Sequence, residues 1–455
     1  MSYVTLYILF TVSAQIVTML HMLYLRRNPS TILAWFMVIL IFPFPAFLLY
    51  FIFGNRKIRQ KSKKSTLVLH QLDQPSPPLN PIETVLDSHA IADTTERNDI
   101  RLYFDGVEAY RALLREIQDA QESIYISTYV FKNDSTTKVI LEALTQKAVQ
   151  GLDVRLLIDS VGSYGLYFWQ YPFRALREAG GKVVFFMPIL EHPLKNYINL
   201  RNHRKIYLFD ERVVFAGGMN LGEKYLGAEP IKKRWVDMIF RIEGEAVFPY
   251  AEIFMADFAY ASGERSAAVK KEIKSTGTNA IQVVPSGPDM SSDALYETLL
   301  SAIHSAERRI WIVTPYFVPD ETILRAFIIA KHKGVDVKLI TPHESDHWIA
   351  DIGRSSYMRE FEENGIEVLL YNGNMLHTKA LLFDEAAVML GSVNIDNRSL
   401  FLNYEVVSFV YSKPVIGEME RWIKGLMADS TPGMKKGSRI RLILENFMRI
   451  FSPQL

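Results

Sequence analysis

The chain contains no cysteine among its 455 residues. That excludes a disulfide framework, a thiol nucleophile and any Cys-ligated zinc site, and it leaves the redox compartment unread because there is nothing to oxidise. A dominant charge sign is missing too. Lys and Arg total 51 against 50 Asp and Glu, so the net charge is +1 and no global field draws in nucleic acid. Any basic partner site must be local. At 49% hydrophobic and 22% charged, the composition also excludes a disordered chain, and the length suits roughly three domains.

Charge is absent altogether from two stretches. Met1 to Leu25 has no Asp, Glu, Lys or Arg, and after Arg26 and Arg27 a second uncharged run extends from Asn28 to Asn55. Each exceeds the ~20 residues needed to cross hydrocarbon as a helix. A cleavable signal peptide fits less well: there is no basic leader or evident small-residue cleavage site, and the run occurs twice. Pro43 and Pro45 lie deep in the second run, where each removes a backbone donor, so a kinked span or a re-entrant pair is expected. Six basic residues, Arg56, Lys57, Arg59, Lys61, Lys63 and Lys64, follow it. This asymmetry predicts a membrane hairpin over 1–55 with both termini, and the domains beyond, on the cytoplasmic side of the cell membrane. The cluster reads as a stop-transfer flank that also attracts anionic headgroups. Residues 65–98, with Pro75, Pro77, Pro78 and Pro81, read as a linker, so 56–98 is assigned to basic juxtamembrane segment and linker.

An internal repeat organises the remainder. A helical pattern over Val107–Ala120 precedes a strand-like Ser123–Phe131, and Leu295, Leu299 and Ile303 precede Ile310–Val313 in the same way. Ile124, Thr128 and Phe131 recur as Ile310, Thr314 and Phe317, and Gly151–Leu156 recurs as Gly334–Leu339. The β-α-β succession in each half predicts an α/β fold of two lobes, over 99–275 and 276–430.

A third pair of segments carries the chemistry. His203, Lys205, Asp210, Gly217-Gly218 and Asn220 recur as His377, Lys379, Asp384, Gly391-Ser392 and Asn394, every one displaced by 174. A single histidine is ordinarily structural, but two in identical spacing point to a site. His and Lys two apart on an extended strand share a face, so an imidazole and an ammonium can address one phosphate. Asp210, at an odd offset and in the turn between Ile206–Phe209 and Val213–Ala216, is expected to brace the hairpin. Asn220 and Asn394 can donate amide hydrogens to phosphate oxygens. A nucleophilic imidazole also needs its far nitrogen proton held by an acceptor. Asp237, 34 residues beyond His203, and Glu405, 28 beyond His377, are isolated acids in apolar strands and are the candidate orienting groups. The ordinary alternative for each is an exposed strand carboxylate.

With its two H-x-K-x4-D motifs, the chain resembles the phospholipase D superfamily. Arg201-Asn202-His203-Arg204-Lys205, Gly217-Gly218-Met219-Asn220-Leu221-Gly222, Thr314-Pro315-Tyr316-Phe317-Val318-Pro319, Gly391-Ser392-Val393-Asn394 and the hairpin's Asn28-Pro29-Ser30 and Leu33-Ala34-Trp35 look most like the bacterial cardiolipin synthase branch. The resemblance implies two phospholipase D-like α/β lobes meeting at one pseudo-twofold site, behind a transmembrane helical hairpin. It implies a catalytic set of His203, Lys205, Asp210, His377, Lys379 and Asp384. One histidine, His203 on the resemblance alone, attacks phosphorus to form a phosphohistidine, while His377 acts as acid and then base. Lys205, Lys379, Asn220 and Asn394 stabilise the equatorial oxygens. No metal or other cofactor is required by that scheme. The implied reaction joins two phosphatidylglycerol molecules into cardiolipin and glycerol at a membrane of anionic lipids. Alternatives are a phospholipase D using water or a transferase accepting another alcohol such as serine. Nuclease action and nucleic-acid partners are disfavoured by the balanced charge and the anchor, and oligomeric state is unread.

Three features lie outside this scheme. His343-Glu344-Ser345-Asp346-His347 fits the H-E-x-x-H zinc pattern, but Pro342 and a preceding strand place it in a turn, so no metal site is expected there. Tyr164, Tyr167, Phe168, Trp169, Tyr171 and Phe173 are expected in the core, or else at the bilayer interface. In the tail, 431–455, Ile440, Ile443, Leu444, Phe447 and Phe451 form an apolar stripe beside Arg439, Arg441 and Arg449, expected to dock on the domain in preference to lipid.

Overall fold

The computed structural model describes residues 2–25, 29–53, 67–70, 78–190, 199–265, 269, 277–434 and 437–449. Arg26, Arg27, Asn28, the basic cluster at 56–64 and Phe451 lie outside them. The chain divides into two compact units, residues 1–58 with 189–200, and 59–188 with 201–455.

In the first unit a 22-residue helix, Tyr3–Tyr24, starts on a Ser2 cap whose side chain accepts from the Thr5 N–H. At 1.5 Å per residue it measures about 33 Å, enough to cross a bilayer. The second apolar run does not continue as one helix. It breaks at Phe42 into Pro29–Ile41 and Pro43–Phe53, of 13 and 11 residues, because Pro43 disfavours helical backbone at the residue before it. Neither piece is long enough to span alone. Ala14 on the long helix packs with Ile39 and Ala46, one from each short helix, and His21 Nδ1 lies 2.6 Å from the Tyr50 hydroxyl.

The second unit holds two mixed sheets with one plan. In the first lobe the order is Lys182–Phe186, Asp153–Asp159, Ser123–Thr128, Ile206–Phe209, Val213–Gly217, Ile239–Gly244 and Asn98–Tyr103. In the second it is Glu367–Tyr371, Asp336–Pro342, Arg309–Val313, Ala380–Phe383, Ala387–Gly391, Glu405–Val410 and Ile281–Ser286, with Ser430–Pro432 added beyond Glu367–Tyr371. Three parallel strands adjoin an antiparallel set in both. The central strands are buried throughout because helices cover them, which is why they read as continuous apolar runs. Each lobe has its own core.

Three expectations change. Residues 81–88, read as linker, form a helix started by Asn80, whose side chain accepts from the Ile82 and Glu83 N–H groups, with Pro81 in its first turn. Its Ile82 and Leu86 join the second lobe's core. The aromatic group divides: Phe173 is buried, whereas Tyr164, Phe168, Trp169 and Tyr171 are exposed. The tail helix, Arg439–Met448, docks by its polar face. Glu445 is buried between Arg359 and Arg441, Asn446 meets Ser356, and Arg449 pairs with Glu360 and covers Tyr357. The stripe of Ile440, Ile443, Leu444 and Phe447 consequently stays exposed.

Candidate active site

Both motifs enter their strands by pairing with the other lobe. The His203 N–H donates to the Tyr404 carbonyl at 2.8 Å and the Tyr404 N–H to Arg201 at 2.8 Å. The His377 N–H donates to Val236 at 2.7 Å, and the Val236 N–H to Met375 at 2.8 Å. Tyr404 and Val236 immediately precede Glu405 and Asp237. Each backbone pairing therefore delivers an acid from one lobe beside a histidine of the other.

The side chains follow. His203 Nδ1 lies 3.0 Å from both carboxylate oxygens of Glu405 and 3.1 Å from the Ser392 carbonyl. His377 Nδ1 lies 2.6 Å from Asp237 Oδ2. The spacing along the chain suggested Asp237 for His203 and Glu405 for His377; the structure exchanges them. Each Nδ1 donates to its carboxylate, which places the lone pair on Nε2. Lys379 Nζ also approaches His377 Nδ1, but that nitrogen's proton is committed to Asp237, so the ammonium donates to the His377 carbonyl. Lys205 Nζ does the same with the His203 carbonyl at 2.8 Å.

Burial sets the protonation states. Desolvation lowers both histidines, with Lys205 acting in the same sense on His203 and Lys379 on His377, which is brought to about 4. Both imidazoles are thus neutral at neutral pH. Burial raises the Asp237 carboxyl, but its pairing with His377, the Lys379 ammonium and hydrogen bonds from the His377 ring and the Met238 N–H outweigh it, and the group lies below the usual carboxylate range. Glu405 behaves alike through His203, Lys205 and the Ser392 hydroxyl, which donates to it at 2.5 Å. Desolvation lowers Lys205 to about 7 and Lys379 to about 8 against the pull of these acids.

The remaining motif residues are elsewhere or only partly committed. Asp210 accepts from the N–H groups of Gln121, Glu122 and Ser123, and Asp384 from those of Glu307, Arg308 and Arg309. Each sits at a left-handed φ, +53° and +49°, a conformation that Asp tolerates in a tight turn. They brace the start of the neighbouring strand and touch neither imidazole. Asn220 is buried with Oδ1 accepting from the Val130 N–H at 3.1 Å, so its amide nitrogen is turned to donate; Asn394 Oδ1 has no hydrogen-bond partner among the described residues. His343–His347 joins the strand Asp336–Pro342 to the helix Trp348–Glu363 and is itself outside the helix, so its two imidazoles do not share a helical face.

Other residues complete the site. The Tyr129 ring stands edge-on to His203 at 4.9 Å, and Tyr225 and Trp235 stand 5.5 and 5.1 Å from His377. Behind His203, Arg201 pairs with Asp159, and Arg204 reaches Asp257 at 2.7 Å, Asp289 at 2.9 Å and the Glu405 carbonyl at 3.0 Å. Through Asp257 and the Ser286 carbonyl, 3.2 Å away, Arg204 ties a first-lobe helix to the second lobe's edge strand. A Cβ at Gly218 would collide with the Asp237 carboxylate, whereas its counterpart Ser392 uses its hydroxyl to hold Glu405. That is why one half reads Gly-Gly and the other Gly-Ser.

Exchanging Asp237 for Asn or Glu405 for Gln keeps shape and removes charge, so turnover should fall about 10³- to 10⁴-fold with little change in melting temperature. Asp210→Asn and Asp384→Asn should do the opposite. Weakening three bonds to a charged acceptor costs about 2 kcal/mol of stability, while turnover per folded molecule is largely kept. Melting curves and rates measured on the four variants together check both halves.

Comparison with known proteins agrees with this geometry. The family described as "Cardiolipin synthase, PLD-like domain" matches residues 113–258 and 299–427, and "Phospholipase_D-nuclease N-terminal" matches 13–55. Cardiolipin synthase 1 of Bacillus cereus is 32% identical over 461 residues, covering 94% of this chain and 90% of that protein. The major cardiolipin synthase of Bacillus subtilis is 32% identical over 419 residues, covering 85% of each. Among solved structures, phosphatidylserine synthase of Haemophilus influenzae superposes with a TM-score of 0.63 at 16% identity, covering 83% of this chain and all of that one, a likeness of fold alone. Together with an apolar helix long enough to span a membrane, these relatives set the chain in a membrane context with phospholipid substrates. The chain belongs to the cardiolipin synthase family of the phospholipase D superfamily.

Proposed function

We propose that this protein is a membrane-bound cardiolipin synthase that transfers the phosphatidyl group of one phosphatidylglycerol to a second. The observation carrying the reading is the pair of buried imidazoles, each with Nδ1 held by a carboxylate and a lysine beside it. His203 Nε2 attacks phosphorus. The bond to the headgroup oxygen breaks, and His377 Nε2 gives that oxygen a proton, releasing glycerol. The anionic phosphodiester offsets with its charge the burial and the Lys379 ammonium that depress His377, so the ring takes up a proton from solvent at Nε2 as the donor binds. Neutral His377 then takes the proton from the hydroxyl of the second phosphatidylglycerol, whose oxygen attacks the phosphohistidine. The P–N bond breaks, His203 returns to its neutral state, and His377, left as an imidazolium, gives its proton back to solvent as the product leaves. Lys205, Lys379, Asn220 and Asn394 stabilise the oxygens that gain charge at each transition state.

The lobes are placed on the cytoplasmic side in this reading, with the apolar runs crossing or re-entering the membrane. The six basic residues over 56–64 against two at 26–27 support it. No step calls on nucleic acid or metal, and turnover should survive EDTA.

Purified enzyme given phosphatidylglycerol alone should produce cardiolipin and free glycerol in equal amounts, with little phosphatidic acid, as read by mass spectrometry. Dominant phosphatidic acid would assign water as the acceptor, and product only on adding serine would assign that alcohol. In the free enzyme, kcat/KM should already decline with pH at neutrality, because His377 must take up a proton to react, and should fall more steeply through about 7 to 8, where Lys205 and Lys379 lose theirs. The acid limb should fall below the ordinary histidine range, because both imidazoles are held neutral. A profile level from neutral to beyond the ordinary lysine range would contradict the assigned lysine states.

A further inference from the structure

Both lobes leave the carboxyl end of the same strand into a segment with exposed aromatic surface, a run of rings in the first lobe and the single Trp348, after Glu344 and Asp346, in the second. In the first lobe the strand ends at Asp159, and residues 160–173 contain no charged side chain. Leu166 and Phe173 point inward, but Tyr164, Phe168, Trp169 and Tyr171 are 60–70% exposed. In the second lobe the strand ends at Pro342, and Trp348, 72% exposed, opens the next helix with Ile349. The repeat that aligns Asp153 with Asp336 aligns Gly165 with Trp348, so the two segments occupy one position of the fold.

Each segment lies close to a catalytic ring. The Ser163 hydroxyl donates to the Tyr129 carbonyl at 3.0 Å and accepts from the Phe131 N–H at 2.8 Å, and the Tyr129 ring is the one against His203. In the second lobe Asp346 accepts from the Tyr316 hydroxyl at 2.5 Å, close enough to Tyr225 and Lys379 for its charge to act on both. A cavity of about 320 Å³ opens beside the first segment, lined by Phe131, Lys132, Ser163, Tyr164, Leu166 and Trp169.

Large aromatics left in water forfeit their burial, and a cluster of them marks a surface that is covered in use. Three observations identify the cover. Trp and Tyr, apolar rings with a polar edge, are the residues that suit the boundary between headgroups and acyl chains. The fourteen uncharged residues of 160–173 would carry no ionised group into that layer. The same chain holds a helix of membrane-spanning length. We propose that these two segments form an aromatic rim that seats the mouth of the active site in the interfacial layer of a phospholipid bilayer, so that a lipid enters without crossing water. The inference rests on phospholipid being the substrate class, and on no particular acceptor.

The test uses the full chain reconstituted in vesicles of phosphatidylcholine and phosphatidylglycerol. The difference in emission between native protein and Trp169→Phe isolates that one indole, and Trp348→Phe does the same for the second lobe. Lipids brominated on the acyl chain near the headgroup should quench most of each difference signal, and aqueous iodide should quench little. Quenching by iodide and not by bromine would leave the rim in water and overturn the proposal. Protection from both quenchers that disappears on dilution into excess lipid would show a second copy as the cover, and would also overturn it. In parallel, Phe168→Ser combined with Trp169→Ser should raise the KM for vesicle phosphatidylglycerol about tenfold, a change of ~1.4 kcal/mol, with kcat held. Equal loss of kcat would mark the residues as structural and count against the rim. Quenching is read without turnover, so an error in the assigned reaction and an error in the rim would show separately.

Discussion

Each motif imidazole is held by a carboxylate from the other lobe, Glu405 for His203 and Asp237 for His377, so neither lobe alone supplies both members of a pair. The exchange is built into the backbone, since the residue before each acid hydrogen-bonds the residue that bears the ring. Lobe association and assembly of the site are therefore one event. A phosphoryl-transfer site that needs one nucleophile and one acid gains both from a single repeated unit, provided the units meet face to face.

That meeting has an electrostatic cost. His203, Lys205, Asp237, His377, Lys379 and Glu405 are all buried, and ions removed from water must be returned their hydrogen bonds by the protein. Carboxylates answer imidazoles, lysines donate to the carbonyls of their own histidines, and Ser392 satisfies Glu405. Arg201 with Asp159 and Arg204 with Asp257 and Asp289 extend the same pattern one layer outward, fixing the strand that carries the first motif. The residual imbalance falls on the lysines, which burial lowers to about 7 and about 8.

How much of this was legible in the sequence depended on the kind of signal. The two lobes could be read because displacements of 186, 183 and 174 persisted through apolar strands and polar motifs alike, whereas the strand order within each sheet came only with the structure. The supporting place of Asp210 and Asp384 followed from an odd offset, which puts a strand residue on the opposite face. The exchange of acids left no trace, because spacings of 34 and 28 are equally compatible with a partner in either lobe. Helix 81–88 was hidden by the surrounding prolines, although Asn80-Pro81 is a good start signal once its cap is seen. Composition also misjudged the aromatics and the tail. Apolar side chains are expected inward, yet Trp169 and Ile443 face out, and the tail helix is held instead by Glu445 and Arg449. Arg201 and Arg204 were visible as motif neighbours, but their partners Asp159, Asp257 and Asp289 come from distant segments that only the fold brings together.

The crossed pairing is tested most directly by histidine-selective ¹⁵N NMR on the full chain, with His203 and His377 assigned by substitution. Both rings should be neutral near pH 7 with the proton on Nδ1, and Glu405→Gln should move the His203 signals while leaving those of His377 nearly in place. A shift of the His377 ring on that substitution, or a proton found on Nε2 of either ring, would contradict the account.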